Sequence, residues 1–126
     1  MFEQIDPRSP TPLYAQIAAR LRVAVAAGEL RPGVALPSVR QLAAQLRVNP
    51  ATVVQAYREL EQDGFVEMRQ GAGTFVRDLQ ADTRASERAK QAAALVRRLV
   101  AEASRLGLST DELLVAIAKE LEVTVA

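Results

Sequence analysis

Two short helices joined by a tight turn constrain the fold of this chain more than any other feature. Ser38 and Gln41 stand three residues apart, which is the spacing of a capping box that starts a helix. That helix is predicted to run to about Leu46. Asn49 and Pro50 then supply the N-cap and the first position of another helix. Two capped helices with so short a connection predict a helix-turn-helix.

A hairpin with a glycine-rich tip follows the second of these helices, which ends near residue 63 because Gly64 comes next. Its predicted strands are residues 65–69 and 74–77, and its tip is residues 70–73. Two of the four tip residues are glycines, which adopt positive φ and let the backbone approach a phosphate closely. The fold class is therefore mainly α with one small β-hairpin. The helices and the hairpin together predict a winged helix-turn-helix, a fold that binds DNA.

Apolar residues recur at helical spacing in the predicted helices and mark their buried faces. A further helix is expected before the pair, with Thr11 as its N-cap, Pro12 at its first position and Gly28 at its end. Its buried face consists of Leu13, Ile17, Leu21 and Val25. The buried face of the helix that Asn49 caps consists of Val53, Ala56, Tyr57 and Leu60.

The order and spacing of these segments resemble the GntR family of bacterial transcription regulators. The resemblance covers the chain from about Pro12 to Val76. Its further parts are Pro12-Leu13-Tyr14 with Gln16-Ile17, and Gly28-Glu29-Leu30 with Pro32-Gly33. It implies a DNA-binding regulator, expected to be a repressor, that acts by occupying an operator and catalyses no reaction.

The helix that Asn49 caps is the third along the chain. We predict that its outer side, opposite the buried face, reads DNA. Asn49, Thr52, Gln55 and Arg58 lie off the apolar stripe, toward the side that a recognition helix offers to the major groove. The alternative is that these polar side chains only solvate the surface, as they do on most helices. The capped partner helix and the hairpin favour the DNA-reading interpretation.

The resemblance adds particular contact positions. It implies a phosphate contact at Arg40, base contacts at the start of the third helix and a contact from the hairpin, or wing, at Gly71. Arg69 and Gln70 are added because they stand beside the hairpin tip. Tyr57 and Arg58 are further candidates for contacts with the DNA backbone. The complete predicted set is Arg40, Asn49, Pro50, Thr52, Val54, Gln55, Tyr57, Arg58, Arg69, Gln70, Gly71 and Gly73.

Two of these positions depart from the family pattern. Several relatives carry basic residues where this chain has Pro50 and Val54. Basic residues there would bond guanine, whereas Val54 can touch only an apolar group such as a thymine methyl. The operator sequence therefore cannot be inferred from those relatives.

The charge balance adds little to this interpretation. The chain has 16 basic and 15 acidic residues, for a net charge of +1. Residues 1–77 contain nine Arg and seven acidic residues, whereas residues 78–126 contain seven basic and eight acidic residues. Arg suits phosphate and guanine contacts. Because so small a net charge is equally typical of proteins that bind no nucleic acid, the DNA prediction rests on the motifs.

The absence of cysteine and histidine from the sequence removes the usual parts of most enzyme mechanisms. Carboxylate pairs such as Glu59 with Asp63, or Asp111 with Glu112, are expected to be solvated or to cap helices. No catalytic residue, cofactor or metal ligand is therefore predicted. The N-terminus lacks the basic and apolar regions of a signal peptide, and no apolar run reaches spanning length, so we expect a cytoplasmic protein without membrane contact.

Residues 78–126 are predicted to form a linker and a two-helix dimerisation tail behind a DNA-binding domain at residues 1–77. Residues 78–86 are polar and form a linker or a lead-in to the first tail helix, and Ser109 with Glu112 starts the second. Two helices cannot bury their apolar stripes alone, so a second copy of the chain is expected to cover them. The alternative is that the stripe packs only on its own winged domain. The predicted dimerisation residues are Ala92, Val96, Leu99, Ala103, Leu106, Leu113, Leu114 and Ile117.

A tail this short is similar to that of the YtrA subfamily of the GntR family, whose members lack the large effector-binding domain. The resemblance implies a gene that stands beside genes for an ABC transporter. The expected partners are a two-fold DNA operator and a second copy of the chain. A small-molecule effector of unknown identity is a further candidate partner, although the tail has little room for a pocket of about 300 Å³ or more unless the dimer interface builds one. An alternative from another class is a dimeric nucleoid-type or interaction protein with little sequence preference.

Overall fold

The computed structural model describes residue 2 and residues 5–125, with the backbone alone for residues 123–125. The chain divides into two compact units, the first ending at Arg88 and the second beginning at Ala89. The described part is mainly helical with one antiparallel hairpin, which confirms the predicted fold class. Its elements are α1 (Leu13–Ala26), α2 (Val39–Leu46), α3 (Pro50–Gln62), β1 (Val66–Arg69), β2 (Gly73–Val76), α4 (Ala81–Arg105) and α5 (Thr110–Val125).

Side-chain caps start α2 and α3 as predicted. The Gln41 N–H donates to Ser38 Oγ at 3.1 Å, and the Ser38 N–H donates to Gln41 Oε1 at 2.9 Å, which completes the capping box. The Ala51 N–H donates to Asn49 Oδ1 at 2.9 Å. Between the two helices, Arg47 has a φ of 57°, in the left-handed region that ends α2 and reverses the chain.

The start of α1 differs from the prediction. Pro12, not Thr11, is the N-cap residue, and no side chain caps the helix. The Thr11 carbonyl instead accepts a hydrogen bond of 2.8 Å from Gln16 Nε2. The same amide also bonds the backbone of Asp6 through both of its ends, at 2.7 and 2.8 Å. The Gln16 side chain therefore holds residues 6–11 against α1. Thr11 takes part in this loop through its carbonyl and does not cap the helix.

The core of the first unit lies between α1, α2, α3 and the hairpin. The predicted inner face of α3 is confirmed, since all four of its apolar residues are buried. Leu79, three residues after β2, belongs to the same core and is only 7% exposed. The first unit therefore continues beyond residue 77. The largest fully buried side chains are Ile17, Leu21, Leu42, Val53, Tyr57, Leu60 and Val66.

The hairpin has a shorter tip and more support than the sequence predicts. Arg69 pairs with Gly73, so Gly73 lies in β2 and the tip is residues 70–72. Backbone hydrogen bonds of 2.8 to 2.9 Å join residues 33–36 to β2, and an isolated bridge joins Ala35 to Phe75. The segment between α1 and α2 thus holds the hairpin against the helical core.

The second tail helix begins as predicted, whereas the first begins earlier. α4 starts at Ala81, so most of residues 78–86 is helical lead-in and not linker. The Glu112 N–H donates to Ser109 Oγ at 3.1 Å, and the Ser109 N–H donates to Glu112 Oε1 at 3.0 Å. Hydrogen bonding to the Glu112 carboxyl, first from the Ser109 backbone N–H and then from the Ser109 side chain, lowers its pKa. The predicted capping box at α5 is confirmed.

Candidate nucleic-acid interface

The outward side of α3 is open to solvent from its first turn. Val53 and its buried neighbours turn one side of the helix into the core, which leaves Asn49, Pro50, Gln55 and Arg58 exposed. The first turn contains no acidic residue. The Ala51 and Thr52 N–H groups already donate to Asn49, so the first turn offers the positive end of the helix dipole to an anionic partner such as a DNA strand.

Arg40 extends this surface onto the neighbouring helix. It is the second residue of α2, is exposed, and has no acidic residue beside it in the first helical turn. Among the described residues no carboxylate forms an ion pair with it. An unpaired guanidinium beside a helix N-terminus suits a phosphate oxygen, because no existing ion pair has to be broken.

The hairpin tip, residues 70–72, exposes backbone that a DNA strand could approach closely. Gly71 has a φ of 78°, and the Ala72 N–H donates to the Arg69 carbonyl at 3.0 Å across the turn. Positive φ at this turn position requires glycine. Arg69 stacks over the Phe75 ring at 4.4 Å from its centroid, and its guanidinium lies 3.5 Å from the Glu67 carboxylate. The stacking holds Arg69 against one face of the hairpin, close to the tip.

The predicted contact residues are accessible with one exception. Thr52 and Val54 are half-buried on α3, whereas Tyr57 is 1% exposed and belongs to the core. The others are exposed at three places on the first unit, namely the start of α2, the outer side of α3 and the hairpin end. These nine exposed residues are Arg40, Asn49, Pro50, Gln55, Arg58, Arg69, Gln70, Gly71 and Gly73.

Tyr57 therefore lies in the core beneath the exposed residues of α2 and α3 and has a structural role. Its hydroxyl donates to the Pro37 carbonyl at 2.7 Å, directly before the Ser38 cap of α2. A direct contact between Tyr57 and the DNA backbone, the role expected from the sequence, is incompatible with this burial. The hydrogen bond instead sets where α2 begins relative to α3, which fixes the position of Arg40.

Residues 13–76 match the model of a family described as bacterial regulatory proteins, gntR family. The chain belongs to this family. Its GntR domain is thus the winged helix-turn-helix described above, and the family consists of DNA-binding transcription regulators, which are not enzymes.

Three similar proteins cover different parts of this GntR chain. The HTH-type transcriptional repressor YtrA of Bacillus subtilis is 36% identical over 110 residues, which are 87% of this chain and 85% of that protein. A GntR family transcriptional regulator from Listeria monocytogenes is 28% identical with a TM-score of 0.70, over 90% of this chain and 97% of its own. The N-terminal domain of AraR, solved with a mutant ORR3 operator, is 30% identical with a TM-score of 0.50, over 52% and 94%.

We expect the free energy of unfolding of the GntR chain to fall as pH rises from about 10 to 12. Burial raises the pKa of Tyr57 to about 12, whereas the unfolded chain loses its phenolic proton near pH 10. The unfolded state alone is then deprotonated in this window, and alkali favours it. Tyr57→Phe should flatten this part of the curve in urea titrations, whereas Tyr14→Phe keeps it. An unchanged slope in Tyr57→Phe would contradict the burial argument.

One supporting contact in the GntR domain has no counterpart among the sequence predictions. Arg22 on α1 lies 2.6 Å from an Asp63 carboxylate oxygen and 3.3 Å from one of Glu59, and it lies over the Phe65 ring. It therefore ties α1 to the end of α3 and to the start of the hairpin. These partners are about 40 residues away along the chain, so no local pattern predicts the contact.

The second unit exposes much of its apolar surface. Val96, Leu99, Leu106 and Leu114 are 41 to 67% exposed, and Ala92 is exposed as well. Leu113 and Ile117 are half-buried. Ala103 departs from its predicted role, because it is only 6% exposed within the single chain and offers little surface to a second copy. The large apolar residues exposed on the described part of this unit also include five outside the predicted dimerisation set: Leu95, Val100, Leu108, Val115 and Leu121.

The described part of the GntR chain offers neither a metal site nor a membrane span. The chain has no His or Cys, and the described Asp and Glu residues form no group of three or more that could hold a metal ion. Its helices also include none with the length and apolarity needed to cross a membrane.

Proposed function

We propose that this chain is a transcriptional repressor that binds a two-fold operator as a homodimer. The observation that carries the proposal is the open N-terminal half of α3, together with the exposed Arg40 near the start of α2 and the exposed hairpin tip. A helix with an exposed first turn that carries no charged side chain can enter the major groove, while an arginine and a hairpin contact the DNA strands. The repressor role is supported by the name of the YtrA protein, to which the chain is similar.

The exposed side chains of α3 differ in what they can read. The Gln55 amide can bond the N6 and N7 edge of adenine with both of its ends, whereas Asn49 Oδ1 caps α3 and leaves its Nδ2 group to donate to a base or a phosphate. Val54 offers only a methyl surface, which suits a thymine methyl. Arg40 and Arg58 carry charge without a fixed partner and suit phosphates, as does the backbone at Gly71.

The second unit supplies the reason for a dimer. Leu95, Val96, Leu99 and Val100 form a continuous apolar surface on two turns of α4, and each is at least 41% exposed. Burying such a surface stabilises by about 25 cal/mol per Å², and a second copy presents the same surface to it. A two-fold dimer would place two copies of α3 on half-sites of a symmetric operator. The first unit, which ends at Arg88 and not at residue 77, would then bind DNA, and the second unit would dimerise.

Arg40→Ala tests the DNA-binding surface. It is expected to weaken binding to the operator and to unrelated duplex DNA by similar factors, because a phosphate contact carries no sequence information. The slope of log K against log salt concentration should decrease by about 0.9 for each phosphate that the variant no longer neutralises. Fluorescence anisotropy between about 50 and 200 mM salt measures both quantities.

Arg8→Ala is the matched control, since Arg8 is exposed and lies outside the three surface regions described above. It should leave the salt slope unchanged. If Arg40→Ala instead abolished discrimination between the two DNAs with little loss of affinity, Arg40 would be a base-reading residue and the assignment would fail.

A further inference from the structure

Four arginines line one cavity of the first unit, on the side away from the hairpin tip. The cavity has a volume of about 290 Å³ and lies where α1 ends, β2 ends and α4 begins. Its charged lining consists of Arg31, Arg77, Arg84 and Arg88, and its other lining residues are apolar or glycine. No carboxylate of the described residues lines it.

The guanidinium charges in this cavity are poorly compensated. Arg84 lies 3.4 Å from an Asp78 carboxylate oxygen, but that carboxylate is 80% exposed and so weakly attractive. Within the described chain Arg31, Arg77 and Arg88 form no ion pair. The C-terminal end of α1 adds a partial negative charge of about half an elementary unit, which offsets only part of the remaining charge. All four arginines are exposed, so solvent screens their mutual repulsion, and an anion in the cavity would be attracted by each of them.

Backbone hydrogen bonds hold the positions from which these side chains extend. The Val34 N–H donates to the Arg31 carbonyl at 3.1 Å, and the Arg77 N–H donates to the Phe65 carbonyl at 3.0 Å. Arg84 begins the helical hydrogen bonding of α4 through its N–H to the Gln80 carbonyl at 3.0 Å. Three separate segments with defined backbone positions therefore bring exposed arginines to the lining of one cavity.

We propose that this arginine cavity binds a small phosphorylated metabolite. One guanidinium group can donate two parallel hydrogen bonds to the oxygens of a phosphate. Four guanidinium groups therefore suit a ligand with two phosphate groups, or with one phosphate and another anionic group. The volume lies at the lower end of the range for small-molecule pockets, about 300 to 1,000 Å³, which excludes large ligands. The proposal does not depend on operator binding, because the site is built from residues outside the predicted DNA contacts.

A DNA phosphate fits this cavity less well than a small anion does. Arg77 follows β2, whose first residue Gly73 pairs beside the hairpin tip. Four residues at roughly 3.3 Å each place Arg77 about 13 Å from the tip. A concave site at this end of the hairpin is set back from the surface that α3 and the tip would offer to a duplex.

The test is calorimetric titration of the full chain, without DNA, using inorganic pyrophosphate as the probe. We expect one site per chain, and Arg77→Gln/Arg84→Gln should weaken binding about tenfold or more, since the variant cannot form the charge-assisted hydrogen bonds. Arg31→Gln/Arg88→Gln should do the same from the other side of the cavity. Arg8→Gln/Lys90→Gln removes equal charge from exposed positions outside the cavity and should change affinity less than about twofold.

Three outcomes would overturn the proposal. They are absence of pyrophosphate binding to the native chain at millimolar concentration, equal weakening in the Arg8→Gln/Lys90→Gln control, and undiminished binding in both cavity variants. A cavity variant that loses duplex affinity and salt slope as Arg40→Ala does, while the native chain ignores pyrophosphate, would assign these arginines to the DNA backbone. Melting temperatures within a few degrees of the native value establish that the variants are folded.

Discussion

Leu99→Asp is expected to convert a dimer into a monomer and to lower operator affinity by at least about a hundredfold. Leu99 lies in the middle of the exposed apolar stripe of α4. In a two-fold interface the substitution buries one unpaired carboxylate from each chain, at a cost of about 3–5 kcal/mol for each charge. A monomer binds a single half-site, without the second set of phosphate and base contacts. Sedimentation velocity at micromolar concentration and anisotropy with operator DNA measure the two effects.

Ala101→Asp is the matched control on the same helix. Two residues correspond to a rotation of about 200° along an α-helix, so Ala101 lies nearly opposite Leu99, and it is also exposed. This variant should remain a dimer with native affinity. Truncation after Arg88 should reproduce Leu99→Asp, because the first unit keeps its own core, including Leu79. A Leu99→Asp protein that sediments as a dimer and binds normally would refute the role given to the tail.

Gln55→Ala is expected to remove the preference for one base in each half-site, by about 1–3 kcal/mol or roughly 5- to 150-fold. The Gln55 side chain is exposed on the outer side of α3, two turns before Gln62 on the same side of the helix. Selection of bound sequences from random DNA, repeated with the variant, would show the relaxed position directly.

Gln62→Ala provides the control, because Gln62 lies at the far end of α3 from the open first turn. It should select the native sequence. Were Gln55→Ala and Thr52→Ala both to select the native sequence as well, α3 would not be the reading helix.

The local capping signals in the sequence predicted the starts of α2, α3 and α5 correctly but not the start of α1. The Ser38 and Asn49 caps and the Ser109 capping box form as predicted, because their partners lie two or three residues away. Thr11 failed as a cap because Gln16 competes for its carbonyl and fastens the preceding loop. A pattern of residue types cannot show which of two local hydrogen-bonding arrangements has the lower free energy.

The contacts that escaped prediction join segments far apart in the chain. Residues 33–36 bond to β2 about 40 residues later, and Leu79 enters the core from beyond the hairpin. Tyr57 shows that the sequence alone does not identify distant hydrogen-bond partners. Its position on α3 is predicted to be buried, yet it is also a predicted contact with the DNA backbone. Only the structure shows that the Tyr57 hydroxyl donates its hydrogen bond to the Pro37 carbonyl.

Selection of bound sequences from random duplex DNA with the native chain tests the central claim most directly. A homodimer that reads with α3 should enrich an inverted repeat, with half-site centres about one helical turn of 10 to 10.5 base pairs apart, or a multiple of it. Its affinity for the selected site should exceed that for unrelated DNA by about 10³ to 10⁷. Enrichment of a single unrepeated half-site, or of no sequence at all as a nucleoid-type protein would give, contradicts the account.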